Sequence, residues 1–548
     1  MFEKLGRRLR LNAIPQIFFT SSAIVIAFVL VAVPFSGPVA GFFETLSTFT
    51  YINFGWFYVL SVSGLLGFLI WVAMSRYGDI RLGPDDAQPE YPTLTWFAML
   101  FAAGIGTILM FWGVAEPMSH FANPPLDDVE PGTVDAARHA MNISLYHFGL
   151  HTWTIFTMPA LAIGYFTYRQ GLPMRISSIF YTVLGDRIFG PIGWTIDIIA
   201  LVGTLFGVAV SIGLATLQLN SGLNYVFGVP VSQFSQIMIV VVITMIATIS
   251  VALGLDRGIK RLSQFNIVIA LLVMLFIWIT GPTLFITSGM VQNFGNYLQN
   301  LPWMAFWTEA FQGTSWQRSW TVFYWAWTIS WAPYVGIFIA RISKGRTIRQ
   351  FVSGALGAPL LFTVIWFSVF GLAGMDLELN QGVNLSAEVE ADVPVALFSF
   401  LENFPWSLLT SALSIVVITV FLTTSADSAA LVVDLLSRRD DQPSKVGQRI
   451  FWTLLLGTVA GTLMLAGGLE ALQNVVTTLG FPFCILLVFM AVAMQRAMHA
   501  DYMGYDLKDL AAGKAPGIGL MGSIPSEAKD EDAPILRDEE KRYENRKD

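Results

Sequence analysis

The chain contains one cysteine, Cys484, among 548 residues. A single thiol excludes an intrachain disulfide and any cysteine-based metal site. Charge is scarce too: Asp, Glu, Lys and Arg make up 13% of the chain, where an average globular protein has about 25%. The 31 Lys and Arg are outnumbered by 38 Asp and Glu, so no broad basic surface for nucleic acid is present. No small-residue cleavage site closely follows the N-terminal apolar run, which is longer than a signal-peptide core and reads as a retained first helix. What fills the space is apolar: 55% of residues are hydrophobic and 14% aromatic, the composition of an all-α integral membrane protein.

Stretches long enough to cross a bilayer, with its minimum of roughly 17 residues, recur at about 15–36, 52–75, 93–115, 142–168, 190–220, 230–253, 262–288, 319–341, 349–374, 404–436, 450–469 and 471–495. Twelve transmembrane helices put both termini on one side. Basic residues mark that side, because short cytoplasmic loops are enriched in Lys and Arg. Lys4, Arg7, Arg8 and Arg10 precede the first span, and Arg76, Arg81, Arg169, Arg175, Arg257, Lys260, Arg261, Arg341, Lys344, Arg346, Arg349, Arg438 and Arg439 fill every second loop. The loops between, notably 127–135 and 376–392, are acidic or uncharged. Both termini are therefore expected in the cytoplasm, with the protein in a bacterial-type cytoplasmic (inner) membrane.

The organisation is expected to be a cytoplasmic N-terminal segment over 1–14, one transmembrane domain over 15–496 and a cytoplasmic tail over 497–548. The tail has charges of both signs and helix-breaking Gly513, Pro516, Gly517, Gly519 and Pro525. Residues 292–318, with Trp303, Phe306, Trp307, Phe311 and Trp316, read as an interfacial amphipathic helix.

Four clusters carry chemistry. Trp327, Trp331 and Tyr334 stand at i, i+4 and i+7 and share one helix face inside an apolar segment, an arrangement that can hold a cation. Trp320 and Trp325 read instead as part of an interfacial aromatic belt. Gly104 and Gly106, flanking Ile105 and followed by Thr107, read either as a helix-packing surface or as an unwound stretch lining a cavity. Thr423, Thr424, Ser425 and Ser428 surround Asp427 in an apolar helix, hard oxygen donors suited to a small hard cation. His147 and His151 have the i, i+4 spacing of a metal pair but lack a third local ligand, and hydrogen bonding within a bundle competes with that reading. Phe148, Trp153 and Phe156 beside them supply a second aromatic wall or plain core packing.

Together these segments resemble the betaine/carnitine/choline transporter (BCCT) family. The resemblance rests on YWAW…ISW.P…G.F.ARIS.GR.IR.F at Tyr324–Phe351, on Ala103-Gly104-Ile105-Gly106 followed by Leu109–Gly113 and Ala115-Glu116-Pro117, on Leu150-His151-x-Trp153, and on Thr424–Ser428. It implies a leucine-transporter-type fold with two inverted five-helix repeats, helices 3–7 and 8–12, and a midplane substrate site where broken helices of the two halves meet. It implies no enzyme and no cofactor, but a secondary active transporter that imports a small zwitterionic or quaternary-ammonium or sulfonium osmolyte by alternating access. A homotrimer is implied as well.

Carried over residue by residue, the resemblance implies that Trp327, Trp331, Tyr334, Trp153, Phe156, Phe148 and Phe111 surround the cationic head of the substrate, while backbone amides of Gly104, Ile105, Gly106 and Thr107 meet its anionic end. It implies one sodium site from Ala102, Ile105, Phe421, Thr424 and Ser425, and a second from Thr204 and the position of Val208, which has no hydroxyl. Proton-coupled choline members carry an acid at the place of Ile108. Sodium is therefore the expected coupling ion, with a proton-coupled choline carrier as the alternative. Where family members pair two tryptophans, this chain has Trp327 and Thr328. Thr328 replaces one wall with a hydrogen-bonding side chain, so ectoine, taurine and dimethylsulfoniopropionate stay open beside glycine betaine.

Overall fold

Inside a bilayer no water satisfies backbone N–H and C=O groups, and a helix satisfies them within its own segment. A computed structural model describes residues 2–9, 11–104, 106–253, 256–439 and 444–508, apart from the side chains of 101–107 and 256–260. Among these residues the chain is helical, joined by loops and two isolated β-bridges. In chain order the helices are α1 (Phe2–Arg8), α2 (Pro15–Ala32), α3 (Ser36–Met74), α4 (Thr93–Gly104), α5 (Gly106–Ala122), α6 (Val134–Phe148), α7 (Leu150–Gly164), α8 (Tyr181–Leu184) and α9 (Pro191–Phe227). There follow α10 (Gln233–Leu253), α11 (Asp256–Thr280), α12 (Thr283–Met304), α13 (Phe323–Ile342), α14 (Ile348–Gln381), α15 (Leu385–Ala391), α16 (Ala396–Glu402), α17 (Ser407–Ser437) and α18 (Val446–Tyr502).

Local chemistry sets many of these ends. Proline opens α2 and α9, where its missing N–H costs nothing. A reciprocal capping box between Thr347 and Gln350 starts α14, and left-handed Gly382 ends it.

Among the described residues nine helices are long and apolar enough to cross a membrane. The difference from twelve has identifiable causes. The third expected span is described on either side of Ile105, as α4 and α5, and the fourth is divided at Gly149 between α6 and α7. The last two share α18, whose Gly467 (φ 149°, ψ 19°) and Gly468 (φ 59°, ψ −131°) are not helical. These torsions suit glycine because it has no Cβ. Before the elbow Gly457 of α18 faces Thr244 of α10; after it Leu472 meets Gly213 of α9 and Gly480 meets Ala326 of α13.

Two expected boundaries change. The seventh span stops at Thr280, ahead of Gly281 and Pro282, instead of reaching 288. The amphipathic segment 292–318 is not one helix: α12 covers 283–304, and 305–315 is turn and irregular backbone held by buried Glu309. Glu309 accepts a hydrogen bond from the Gln317 amide at 2.8 Å and one from the Tyr51 hydroxyl at 3.4 Å.

The loops sort to two ends. Arg81 donates to the Gly345 carbonyl at 3.0 Å, Arg169 pairs with Asp85 at 2.7 Å and with Asp501, and Ala13 bridges Arg438. The basic loops and the segments near both termini thus interlock at one end. At the other, Asn123 reaches Glu390 at 3.3 Å and Gln312 reaches the Pro125 carbonyl at 3.4 Å.

At the centre lies α13, gripped where neighbouring helices lack side chains. A Cβ on Gly207 of α9 would fall 2.9 Å from the Ser330 Cβ, and one on Gly480 of α18 would fall 2.6 Å from the Ala326 carbonyl oxygen. Small residues at such contacts let membrane helices approach to backbone distance.

Candidate functional site

The aromatic face of α13 meets α7. Trp327 is buried, stacks on Phe323 with centroids 5.7 Å apart, and donates its indole N–H to the Gly207 carbonyl (3.2 Å) and the Ser211 hydroxyl (3.1 Å) of α9. That anchor fixes the ring plane and leaves its face free to bound a cavity. One turn on, Trp331 meets Phe156 edge to face at 5.4 Å, and Tyr334 stacks on Trp331 at 6.0 Å. Phe156 meets Trp153 at 5.7 Å, so rings from two helices form a continuous wall.

Between them is a cavity of about 20 Å³ lined by uncharged side chains, among them Phe148, Trp153, Phe156, Tyr324, Trp327 and Thr328. Such a space holds about one water. The pocket is therefore closed, with room well short of a trimethylammonium group.

Five predicted substrate residues line this cavity: Phe148, Trp153, Phe156, Trp327 and Thr328. Trp331 and Tyr334 extend the wall beyond it. Phe111 does not line it; it is buried against Trp112 at 4.6 Å, while Ile108 and Leu109, nearer the start of α5, take that place. Thr328 also differs from expectation, because its hydroxyl donates to the Tyr324 carbonyl at 2.7 Å. With its proton committed, the oxygen faces a ligand as an acceptor only. Trp325 is not a belt residue: it is 3% exposed and packs on Tyr146 and His151.

Sequence reasoning missed Tyr324, Thr152 and Thr363, which also line the cavity. Tyr324 had a signal, since it stands three residues before Trp327 and so shares its face. Thr363 had none, because α14 meets the site only through the fold, where its hydroxyl donates to the Phe148 carbonyl at 3.2 Å. That carbonyl is available because the helix is interrupted at Gly149. A Cβ there would lie 2.3 Å from the Leu145 carbonyl oxygen and 2.9 Å from the Tyr297 hydroxyl, and that hydroxyl accepts the Leu150 N–H at 3.1 Å.

Ile105 and the side chains of Ala102, Gly104, Gly106 and Thr107 lie outside the described residues, and with them the expected amide site and half of the first sodium site. The other half is on α17. Phe421 and Thr424 are buried, Ser425 half-buried, and the Thr424 hydroxyl donates back to the Val420 and Phe421 carbonyls at 2.9 and 3.1 Å. A hydroxyl so committed turns its lone pairs outward, the orientation a cation requires. Asp427 pairs with Arg449 of α18 at 3.5 Å. The Thr204 hydroxyl is buried in α9 with no hydrogen-bond partner among the described residues, and Val208 lies one turn on. Of the expected broken helices, α13 is continuous from Phe323 to Ile342 and is preceded by a π-helical turn, Arg318–Val322. His147 and His151 do not form a metal pair: Gly149 interrupts the helix between them, and His151 turns to the Ser63 hydroxyl at 3.3 Å.

Residues 16–503 match the family model described as BCCT, betaine/carnitine/choline family transporter. The ectoine/glycine betaine/proline transporter EctP of Corynebacterium glutamicum is 43% identical over 90% of this chain and 81% of its own length. The glycine betaine transporter OpuD of Bacillus subtilis is 39% identical over 90% of this chain and 96% of its own. For the high-affinity choline transport protein of Escherichia coli the identity is 36%, over 89% and 72%. With its aromatic pocket between α7 and α13 and a match running almost from end to end, the chain belongs to the betaine/carnitine/choline family of transporters.

Proposed function

We propose that the chain is a sodium-driven symporter that imports a small zwitterionic osmolyte of the glycine betaine type by alternating access. The observation that carries this reading is the uncharged aromatic pocket. A quaternary ammonium has no N–H to donate and gains from ring faces, tryptophan best, about 0.5–2 kcal/mol for each well-placed ring. Relatives named for glycine betaine and for ectoine support the solute class.

Thr328 widens the choice. Its oxygen accepts but does not donate toward the pocket, so it serves a head group carrying N–H, such as the amidinium of ectoine, as well as a methylated one. The closed pocket supports alternating access, because α7 and α13 must part before a solute enters.

Sodium is favoured over the proton by the outward lone pairs of Thr424 and by Ile108 where a proton-coupled choline carrier has an acid. Thr204 is the donor for a second ion. The reading includes twelve crossings, the third and fourth each interrupted and the last two joined at the α18 elbow, with helices 3–7 and 8–12 as inverted repeats. It includes a homotrimer in the bacterial cytoplasmic membrane with the interlocked basic end and both termini inside.

Uptake of glycine betaine and of ectoine into liposomes, with and without an inward sodium gradient, tests the proposal. Sodium-dependent accumulation is expected; accumulation driven by a pH gradient and indifferent to sodium would refute it.

A further inference from the structure

Glu116 and His120 stand one turn apart on α5 and meet His147 in the last turn of α6. Their exposures are 0%, 1% and 1%. Glu116 Oε1 lies 2.6 Å from His147 Nδ1 and 3.4 Å from His120 Nε2, and one donor atom from each residue falls within 4.8 Å of the other two. The cluster is incompletely satisfied. Neither ring nitrogen of His120 makes a hydrogen bond, and beside the two imidazoles the Glu116 carboxylate meets the Tyr324 hydroxyl of α13.

The surroundings fix the three groups in place. The His147 Nε2 contacts the Thr321 hydroxyl at 2.9 Å, where α13 is approached through its π-helical turn. The His120 ring is held by Trp320 at 4.4 Å and Trp316 at 5.2 Å. Trp316 also lies 5.9 Å from the His147 ring and lines a separate cavity of about 200 Å³ with His139, Asn142 and Tyr146. An approach route thus ends one indole away from the cluster.

Two imidazole nitrogens and one carboxylate oxygen form a zinc-type donor set, whereas sodium or calcium would call for oxygen alone. A His147 whose outer nitrogen donates to Thr321 presents its inner lone pair to the cluster, the usual arrangement behind a metal-bound imidazole. We propose that Glu116, His120 and His147 bind one divalent transition-metal ion of the zinc type, reached from the Trp316-lined cavity. Ligand atoms about 2 Å from a tetrahedral ion stand roughly 3.3 Å apart. The Glu116–His120 contact already fits that spacing; the shorter Glu116–His147 contact is a shared proton, which the ion displaces to solvent. The bound ion joins α5 and α6 and, through Thr321, the approach to α13.

The test uses full-length protein, freed of any affinity tag and stripped with chelator, then equilibrated with Zn²⁺ and assayed by elemental mass spectrometry. Wild type is expected to retain one zinc per chain and, with Co²⁺ instead, to show the visible bands of a tetrahedral site. His120→Ala is expected to lose both while still folding, with a melting temperature below that of metal-free wild type because a buried ring is removed. Thr321→Val is expected to bind about 10-fold more weakly, and His139→Ala unchanged. Wild type without metal above the blank overturns the proposal, as does a folded His120→Ala that binds like wild type. If that variant does not fold, His120→Gln takes its place, and full binding by it counts against the site in the same way. Metal content is read without transport, so these outcomes are independent of the reading of the chain as a symporter.

Discussion

Two helices of nearly equal length have opposite fates. Among the nine long apolar helices, α10 is the most apolar, yet only 28% of its membrane window is buried; the span containing α13 is the least apolar, and 89% of its window is buried. In water the order would be reversed. In lipid the surrounding tails are as apolar as leucine, so burying Val, Ile and Met gains little, and packing with polar contacts decides which helix goes inside. Met245 and Ile249 of α10 accordingly stand 57% and 52% exposed, while Trp327 and Ser330 of α13 are buried beneath glycines. Relative polarity, more than hydrophobicity, marks the helix that does the work.

The comparison can be broken most directly at Trp327. Trp327→Ala removes a ring, an anchor to two groups on α9 and a buried volume whose loss costs about 3–5 kcal/mol. Uptake is expected to vanish and the melting temperature to fall. The control is Ile246→Ala on α10, at 44% exposure, with stability held within about 0.5 kcal/mol and uptake unchanged. Equal damage from the two would mean that burial does not distinguish the helices.

Next is Gly207→Ala, whose methyl would press on Ser330 and force α9 from α13 at a cost of about 1–3 kcal/mol. A lower melting temperature with uptake reduced but measurable is the expected result. Thr328→Trp has to seat an indole beside a cavity of about 20 Å³, and it is the sharper change in meaning. It adds a cage wall worth about 0.5–2 kcal/mol to a quaternary ammonium and removes the acceptor, so competition assays are expected to shift preference from ectoine toward glycine betaine. Unchanged preference would show that Thr328 does not set selectivity.

The smallest effect lies off both helices. Burial raises the Glu309 carboxyl above its ordinary range, against the pull of the Gln317 and Trp316 amides and the Tyr51 hydroxyl. An acid raised in this way contributes stability below its unfolded pKa of about 4.3 and loses it as pH climbs through the raised value. Over that window the wild-type melting temperature is expected to decline relative to Glu309→Gln. A parallel course of the two curves would show that the loop does not sense its own ionisation.

The aromatic stripe was legible because a helix converts spacing directly into a shared face, and Trp327, Trp331 and Tyr334 need only their own segment to align. The basic residues were legible for a similar reason, since alternate loops of a membrane chain return to one end. What could not be read were meetings between segments. Glu116 and His120 become a cluster only when α6 brings His147, and Thr363 reaches the pocket only because α14 packs against α7. Trp325 was misplaced because position near a helix end is a poor guide to depth when a second helix covers that end. Phe111 is not among the lining residues because Ile108 and Leu109 of the same helix take that place.

The elbow at Gly467 and Gly468 has a mechanical consequence. Two residues alone separate the part of α18 clasped to α10 from the part bearing on α9 and α13. On the proposed mechanism, in which α13 and α7 part to admit a solute, the two glycine torsions lie between that movement and the contact with α10. The least buried of the long apolar helices and the most buried one are thus joined through the same helix, α18, on opposite sides of one two-residue joint.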